Sequence, residues 1–157
     1  MVADGLGGAD SGEVASALAV RTAWAVVREQ VVEPILRGQV PTREAVLAAL
    51  TAAVAEANRA VYEARSAASS EMSTTLTMAL VVDRHATIAN VGDSRTYLCD
   101  TRGLERITRD HSLVQRLVDA GTISPAQVYA HPQRNLILQS VGDRPEVEAD
   151  LFERDLQ

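Results

Sequence analysis

Residues 73–95 read Ser73-Thr74-Thr75-Leu76-Thr77-Met78-Ala79-Leu80-Val81-Val82-Asp83-Arg84-His85-Ala86-Thr87-Ile88-Ala89-Asn90-Val91-Gly92-Asp93-Ser94-Arg95, and within them the chain changes period. Residues 74–82 are β-rich and largely apolar, which predicts a central strand. Asp83-Arg84-His85 reads as a tight turn. Residues 86–91 predict the next strand and 96–99 another, followed by a second turn over 100–103. Residues 104–108 predict a short fourth strand.

Upstream of this stretch the period is helical. Val14, Leu18, Trp24, Val27, Val31 and Ile35 recur at intervals near three and four, which predicts an amphipathic helix over residues 12–36. Pro34 lies near its end and Gly38 stops it. A second helix is expected over 42–65, with Thr42 as its cap and Val46, Leu50, Val54, Ala57 and Val61 as its buried stripe. The two form an antiparallel pair across a short turn. Downstream, residues 113–120 predict a short helix closed by Gly121. Residues 124–129 predict another, with Ser124 as N-cap and Pro125 at its first position. His131 to Asn135 reads as a loop, and residues 136–141 and 147–156 have strand character. The fold class is therefore α+β, an antiparallel sheet covered by helices.

Composition narrows the function. The 157 residues carry a net charge of −6, and all 15 basic residues are Arg. An acidic chain is a poor general binder of nucleic acid, because neutralising phosphates needs a positive face. The absence of Lys reads as a coding bias, with Arg serving phosphate recognition at particular places. One cysteine, Cys99, leaves no internal disulfide and points to a reducing compartment. No apolar run approaches the roughly 20 residues that span a bilayer, and the first residues lack the regions of a signal peptide. The expected location is cytoplasmic.

Three segments carry possible chemistry. Asp4-Gly5-Leu6-Gly7-Gly8 stands before the first helix. It reads as a Gly-rich turn, as a phosphate nest at the helix N-terminus, or as a carboxylate offered to a hard cation with glycines letting backbone approach; a related Gly-containing Asp motif also occurs in some ATPases. Asp93, in Gly92-Asp93-Ser94, reads as the cap of its own hairpin turn or as a second metal carboxylate. In Thr108-Arg109-Asp110-His111-Ser112, Asp110 or Ser112 caps the following helix. His111 is a hydrogen-bonded structural residue, or else a ligand or general acid.

In this order, the segments give the chain a resemblance to the bacterial branch of the metal-dependent PPM (PP2C-type) protein Ser/Thr phosphatases. It is carried by residues 2–8, 12–16, 73–76 and 89–95, by Thr108-Arg109-Asp110-His111-Ser112-Leu113-Val114, by 117–121, and by His131-Pro132-Gln133-Arg134-Asn135. The likeness implies a PP2C-like α-β-β-α fold, an antiparallel β-sandwich flanked by helix pairs. It implies two or three Mn²⁺ or Mg²⁺ ions on oxygen ligands, with a metal-activated water hydrolysing phosphoserine and phosphothreonine. By the same likeness, Asp4 matches the bridging metal ligand, Gly5 its carbonyl partner, and Asp93 a carboxylate of the additional metal. Residues 112–134 match the flap beside the active site. The implied partners are phosphorylated proteins, a bacterial Ser/Thr kinase among them, with neither nucleic acid nor a membrane segment. Cys99, Trp24 and His85 match no family site.

The chain also departs from the pattern. The family domain begins upstream of Asp4 with an Arg-bearing strand, and it continues beyond Gln157 through Asp-Gly and Asp-Asn segments. Asp150 and Asp155 do not match those motifs. Leu6 and Ala9 stand where relatives carry His, and Ser73 where they carry Gly. The expectation is a single partial domain over 1–157, incomplete at both ends, with weak or no turnover on its own. The alternatives are a catalytically silent relative that binds a phosphoprotein or kinase, and a nucleotide binder at Gly5–Gly8.

Overall fold

The computed structural model describes residues 1–7 and 9–156. Gly8 of the glycine turn and the terminal Gln157 lie outside the described residues. The chain runs β1 (Gly5–Leu6), α1 (Ala9–Val27), a π-helical turn (Arg28–Val32), α2 (Glu33–Leu36) and α3 (Arg43–Ala68). Then follow β2 (Ser73–Thr74), β3 (Leu76–Val82), β4 (His85–Val91), β5 (Tyr97–Asp100), β6 (Gly103–Arg106), α4 (Leu113–Asp119), a 3₁₀ turn (Pro125–Ala130) and β7 (Asp150–Asp155).

Each helix has a local cause. The Thr42 hydroxyl accepts the Ala45 amide at 3.2 Å and starts α3. All five residues of its expected stripe, from Val46 to Val61, are buried. The first helix differs from expectation. Val27 and Val31 are buried, but Val14, Trp24 and Ile35 are 54%, 48% and 42% exposed. Ala15, Ala19 and Ala23 face the core instead, with Ala53 and Ala57 of α3 in the same cluster. Small side chains at intervals of four let two helices approach closely, so this contact needs no large residues. Nor is the helix regular over 12–36. It widens at Arg28–Val32, just ahead of Pro34, whose ring lacks an N–H and would crowd the carbonyl four residues back.

The sheets are antiparallel. β4 is the centre of a three-stranded sheet, with β3 on one side and β7 on the other. Residues 74–82 are therefore not a central strand. The segment breaks at Thr75 into β2, which pairs with β1, and β3, which is touched on its outer side by Val2. Leu76, Met78, Ala89 and Val91 face the helix pair. Ala86 and Ile88 face the other way, onto Ile107, with Leu98 and Phe152 against them. Residues 136–141 contribute only single bridges, Ile137 to Ser112 and Val141 to Thr74, and strand β7 begins only at Asp150. Among the described residues no helix is long and apolar enough to cross a membrane.

The β3–β4 hairpin closes with the pair Val82 and His85, so His85 belongs to the strand and not to the turn. The His85 Nδ1 lies 2.8 Å from an Asp155 oxygen and its Nε2 2.8 Å from a Glu153 oxygen. The bonds to Asp155 and then Glu153 hold the imidazolium above its ordinary value of 6.5. The bond from His85 holds Asp155 below 3.8. The imidazolium's contribution to stability is complete below 6.5 and is lost as pH rises through the raised value. That of Asp155 is complete above 3.8 and is lost as pH falls. The cluster therefore stabilises most between those two values. Thermal melts should show the stability difference between wild type and His85→Gln shrinking as pH rises above the ordinary imidazole value of 6.5. A difference that stays constant as pH rises contradicts this assignment.

Candidate metal centre

Two glycine-flanked acids, Asp4 and Asp93, come together through a threonine. Asp4 directly precedes β1. Its amide donates to the Thr75 hydroxyl at 2.9 Å, and its carbonyl accepts the Thr75 amide and the Thr74 hydroxyl, each at 3.0 Å. The same Thr75 hydroxyl lies 2.7 Å from the Ser94 hydroxyl, next to Asp93. Gly92, with φ of 100°, is pressed against Thr75, and a Cβ there would stand 2.6 Å from the Thr75 Cγ2. The break between β2 and β3 thus serves as a clamp that seats Asp4 beside the Gly92-Asp93-Ser94 loop.

That loop does not close a hairpin. It leaves β4 in one sheet and enters β5, which pairs only with β6. Four hydrogen bonds fix it. The Asn90 side-chain amide donates to the carbonyls of Gly92 and Arg109, each at 3.3 Å. The His111 amide donates to the Gly92 carbonyl at 2.9 Å. The Gly92 amide donates to the His111 Nδ1 at 3.3 Å, which leaves the ring proton on Nε2, 3.1 Å from an Asp150 oxygen. His111 is therefore engaged on both ring nitrogens by the scaffold. Ser112 caps α4, accepting the Gln115 amide at 3.2 Å.

Asp110 is not a cap. Its side chain is 5% exposed and is held by Arg95 at 2.6 Å and by Arg106. The bond to Asp110 keeps the Arg95 guanidinium above its usual range. Removing a buried carboxylate from two cations is costly, although water reaches both guanidiniums. Asp110→Ala should lower stability by about 2–3 kcal/mol, measured by urea denaturation; a loss below about 0.5 kcal/mol would show the pairs to be surface-like.

Burial raises the Asp93 carboxyl above its ordinary 3.8, and the negative charges of Asp110 and Asp4 push in the same direction. The half-buried Asp93 thus feels Asp4, in an arrangement a cation relieves. The donors available are hard: two carboxylates and the Gly5 carbonyl, with neither sulfur nor imidazole. This chemistry fits Mg²⁺ or Mn²⁺. Among the described residues no three His, Cys, Asp or Glu side chains converge as a complete ligand group. Asp4 and Asp93 by themselves do not make such a group.

Thr75 went without a role in the sequence reading. Its signal in the sequence is a pair of adjacent threonines at the start of the β-rich segment, and both are fully buried. The link from His111 to Asp150 carried no local signal, since those residues are far apart in sequence.

A helix pair laid on one face of an antiparallel sheet, with acidic loops gathered at one end, is the α+β architecture of the PP2C-type phosphatases. A protein phosphatase 2C profile matches residues 1–112, and the chain belongs to that family. It is 36% identical to the serine/threonine phosphatase stp of Listeria welshimeri, over 97% of this chain and 58% of that protein. Its fold superposes on Stp1 of Staphylococcus aureus with a TM-score of 0.87 at 33% identity, covering 98% of this chain and 58% of the other. The catalytic domain of the serine/threonine protein phosphatase PstP, solved in complex with two manganese ions, gives a TM-score of 0.79 at 34% identity, covering 99% of this chain and 60% of the other. The chain thus spans 58% of the length of the Listeria phosphatase and 28% of that of the PstP of Mycobacterium tuberculosis.

Proposed function

We propose that the full-length gene product is a metal-dependent protein Ser/Thr phosphatase, and that Asp4, Gly5 and Asp93 belong to its metal centre. The observation that carries this reading is the Thr75 clamp, which seats two hard carboxylates from distant segments at one sheet end. The names of the relatives support the activity, and the two manganese ions of PstP support the choice of ion.

Each residue has a part. Asp4 presents an exposed carboxylate from a backbone fixed by Thr74 and Thr75. Gly5 offers its carbonyl from the adjoining position in β1. Asp93 supplies a carboxylate from the more buried side, where ionisation is disfavoured until a cation arrives. When bound, such an ion supplies Lewis-acid chemistry, acidifying water and offsetting phosphate charge. Residues 112–134, which include α4 and the 3₁₀ turn, form the flap that borders the site. The substrates are phosphorylated proteins, a bacterial Ser/Thr kinase among them, in the cytoplasm.

The test is phosphate release from phosphoserine and phosphothreonine peptides. The full-length gene product should release phosphate with millimolar Mn²⁺ and lose at least about 100-fold of that rate in EDTA. Turnover that is indifferent to EDTA contradicts the reading.

A further inference from the structure

Beside the candidate metal centre lies a cavity of about 580 Å³ whose wall includes His111, the residue bonded to Gly92. Three arginines and three aspartates line it. The aspartates are all engaged within the chain. Asp110 holds Arg95 and Arg106, Asp119 holds Arg109 and the Gln115 amide, and Asp150 accepts the His111 Nε2–H. Of the arginines, only Arg109 is closely paired. Arg116 has no carboxylate within ion-pair distance among the described residues. Arg144 reaches only Asp143, at 3.8 Å, and that carboxylate is held more tightly by Arg65 at 3.0 Å. Two guanidiniums are left available in this cavity against one carboxylate, that of Asp150, whose partner is a neutral imidazole, in a chain whose net charge is −6.

Both free guanidiniums stand on fixed supports. Arg116 projects from α4, whose start is capped by Ser112. Arg144 sits in a loop fastened by the buried Asn58. The Asn58 side chain donates to the carbonyls of Arg144 and Pro145 at 3.0 Å each and accepts the Gly142 amide at 2.7 Å. These supports fix the backbone from which each side chain leaves, and the planar fork of a guanidinium is itself suited to pairing with an oxyanion.

We infer that Arg116 and Arg144 form an anion subsite that takes a second negatively charged group on the substrate, beside the phosphorylated residue. The inference rests on the phosphatase reading above, and it deepens that reading by naming the substrate class: phosphoprotein segments with an acidic side chain or a second phosphate close to the target residue. The cavity has room for a few peptide residues, and guanidiniums suit carboxylate and phosphate alike.

The experiment uses the full-length gene product with Mn²⁺ and three synthetic phosphothreonine peptides, whose flanks are neutral, glutamate-bearing or phosphoserine-bearing. KM and kcat are measured for each, together with binding by fluorescence anisotropy in EDTA. The anionic flanks should lower KM and the dissociation constant by about tenfold, the size expected of two solvent-screened ion pairs, and the advantage should shrink with added salt. A glutamate preference identifies carboxylate as the second group, and a preference for the doubly phosphorylated peptide alone identifies phosphate. The double variant Arg116→Gln/Arg144→Gln should lose the preference, while Arg28→Gln, outside the cavity, should keep it. Equal KM and equal binding for all three peptides overturn the subsite, as does a preference that survives in the double variant. Turnover without preference leaves the phosphatase reading intact, whereas preferential binding with no turnover of any peptide overturns that reading and leaves the subsite standing.

Discussion

Gly5→Ala should unfold the edge of the molecule that carries the site. A Cβ at Gly5 would lie 2.0 Å from the Gly12 carbonyl oxygen, 2.3 Å from its carbon and 2.7 Å from its Cα. These are backbone atoms of α1 and cannot rotate aside. The approach is mutual, since a Cβ on Gly12 would meet the Gly5 carbonyl carbon at 2.9 Å. Relief requires β1 and α1 to part, which opens the contact between the clamp at Thr75 and the alanine face of α1. The cost should be about 3 kcal/mol or more, above the usual range for overpacking, or a fall in Tm of about 10 °C. Gly38→Ala is the control. That glycine has a left-handed φ of 82° with nothing within 4 Å of the added Cβ, so only the conformational cost of about 1 kcal/mol applies. Equal melting of the two variants would mean that strand and helix do not meet as described.

The second large effect concerns Asp93, where stability and activity should move in opposite directions. Its carboxyl is raised by burial and by the neighbouring Asp110 and Asp4. A raised folded-state value means that the group favours the fold when protonated and opposes it as pH rises through that value. Without metal, Asp93→Asn should therefore melt at or above the wild-type temperature at neutral pH. With Mn²⁺ the order should reverse, because an ion that binds only the folded state stabilises it by mass action. In the full-length gene product the same substitution should cut Mn²⁺-dependent phosphate release by at least about 100-fold. A variant that is less stable without metal but fully active would assign Asp93 a structural role.

The parts of the fold that were legible in the sequence are those with a strong local cause. The stripe of α3 lies mostly on branched residues, Val46, Leu50, Val54 and Val61, and Thr42 follows Pro41 where a cap is expected, so period and boundary agree. The β3–β4 hairpin was legible because two apolar runs flank a polar turn, with Asp83 accepting a left-handed φ of 54°. The face of α1 was misread because periodicity weights large apolar residues, whereas packing there depends on Ala15, Ala19 and Ala23 being small. Residues 136–141 have the composition of a strand but find partners only at single positions, since Ser112 and Thr74 each offer one bridge. For the site, glycine-flanked acids drew attention to Asp4 and Asp93. What joins them is a hydroxyl on a third segment, about seventy residues from one acid and about twenty from the other, and no local pattern signals a contact of that span.

The claim on which the rest depends is that Asp4 and Asp93 hold one hard-cation site between them. Direct Mn²⁺ titration, followed by electron paramagnetic resonance of the free ion, tests it without any assay of turnover. The full-length protein should take up Mn²⁺, and Asp4→Asn and Asp93→Asn should each weaken uptake by about tenfold or more, with Asp143→Asn, whose carboxylate pairs with Arg65, unchanged. Undiminished Mn²⁺ uptake by both Asp4→Asn and Asp93→Asn would contradict the account.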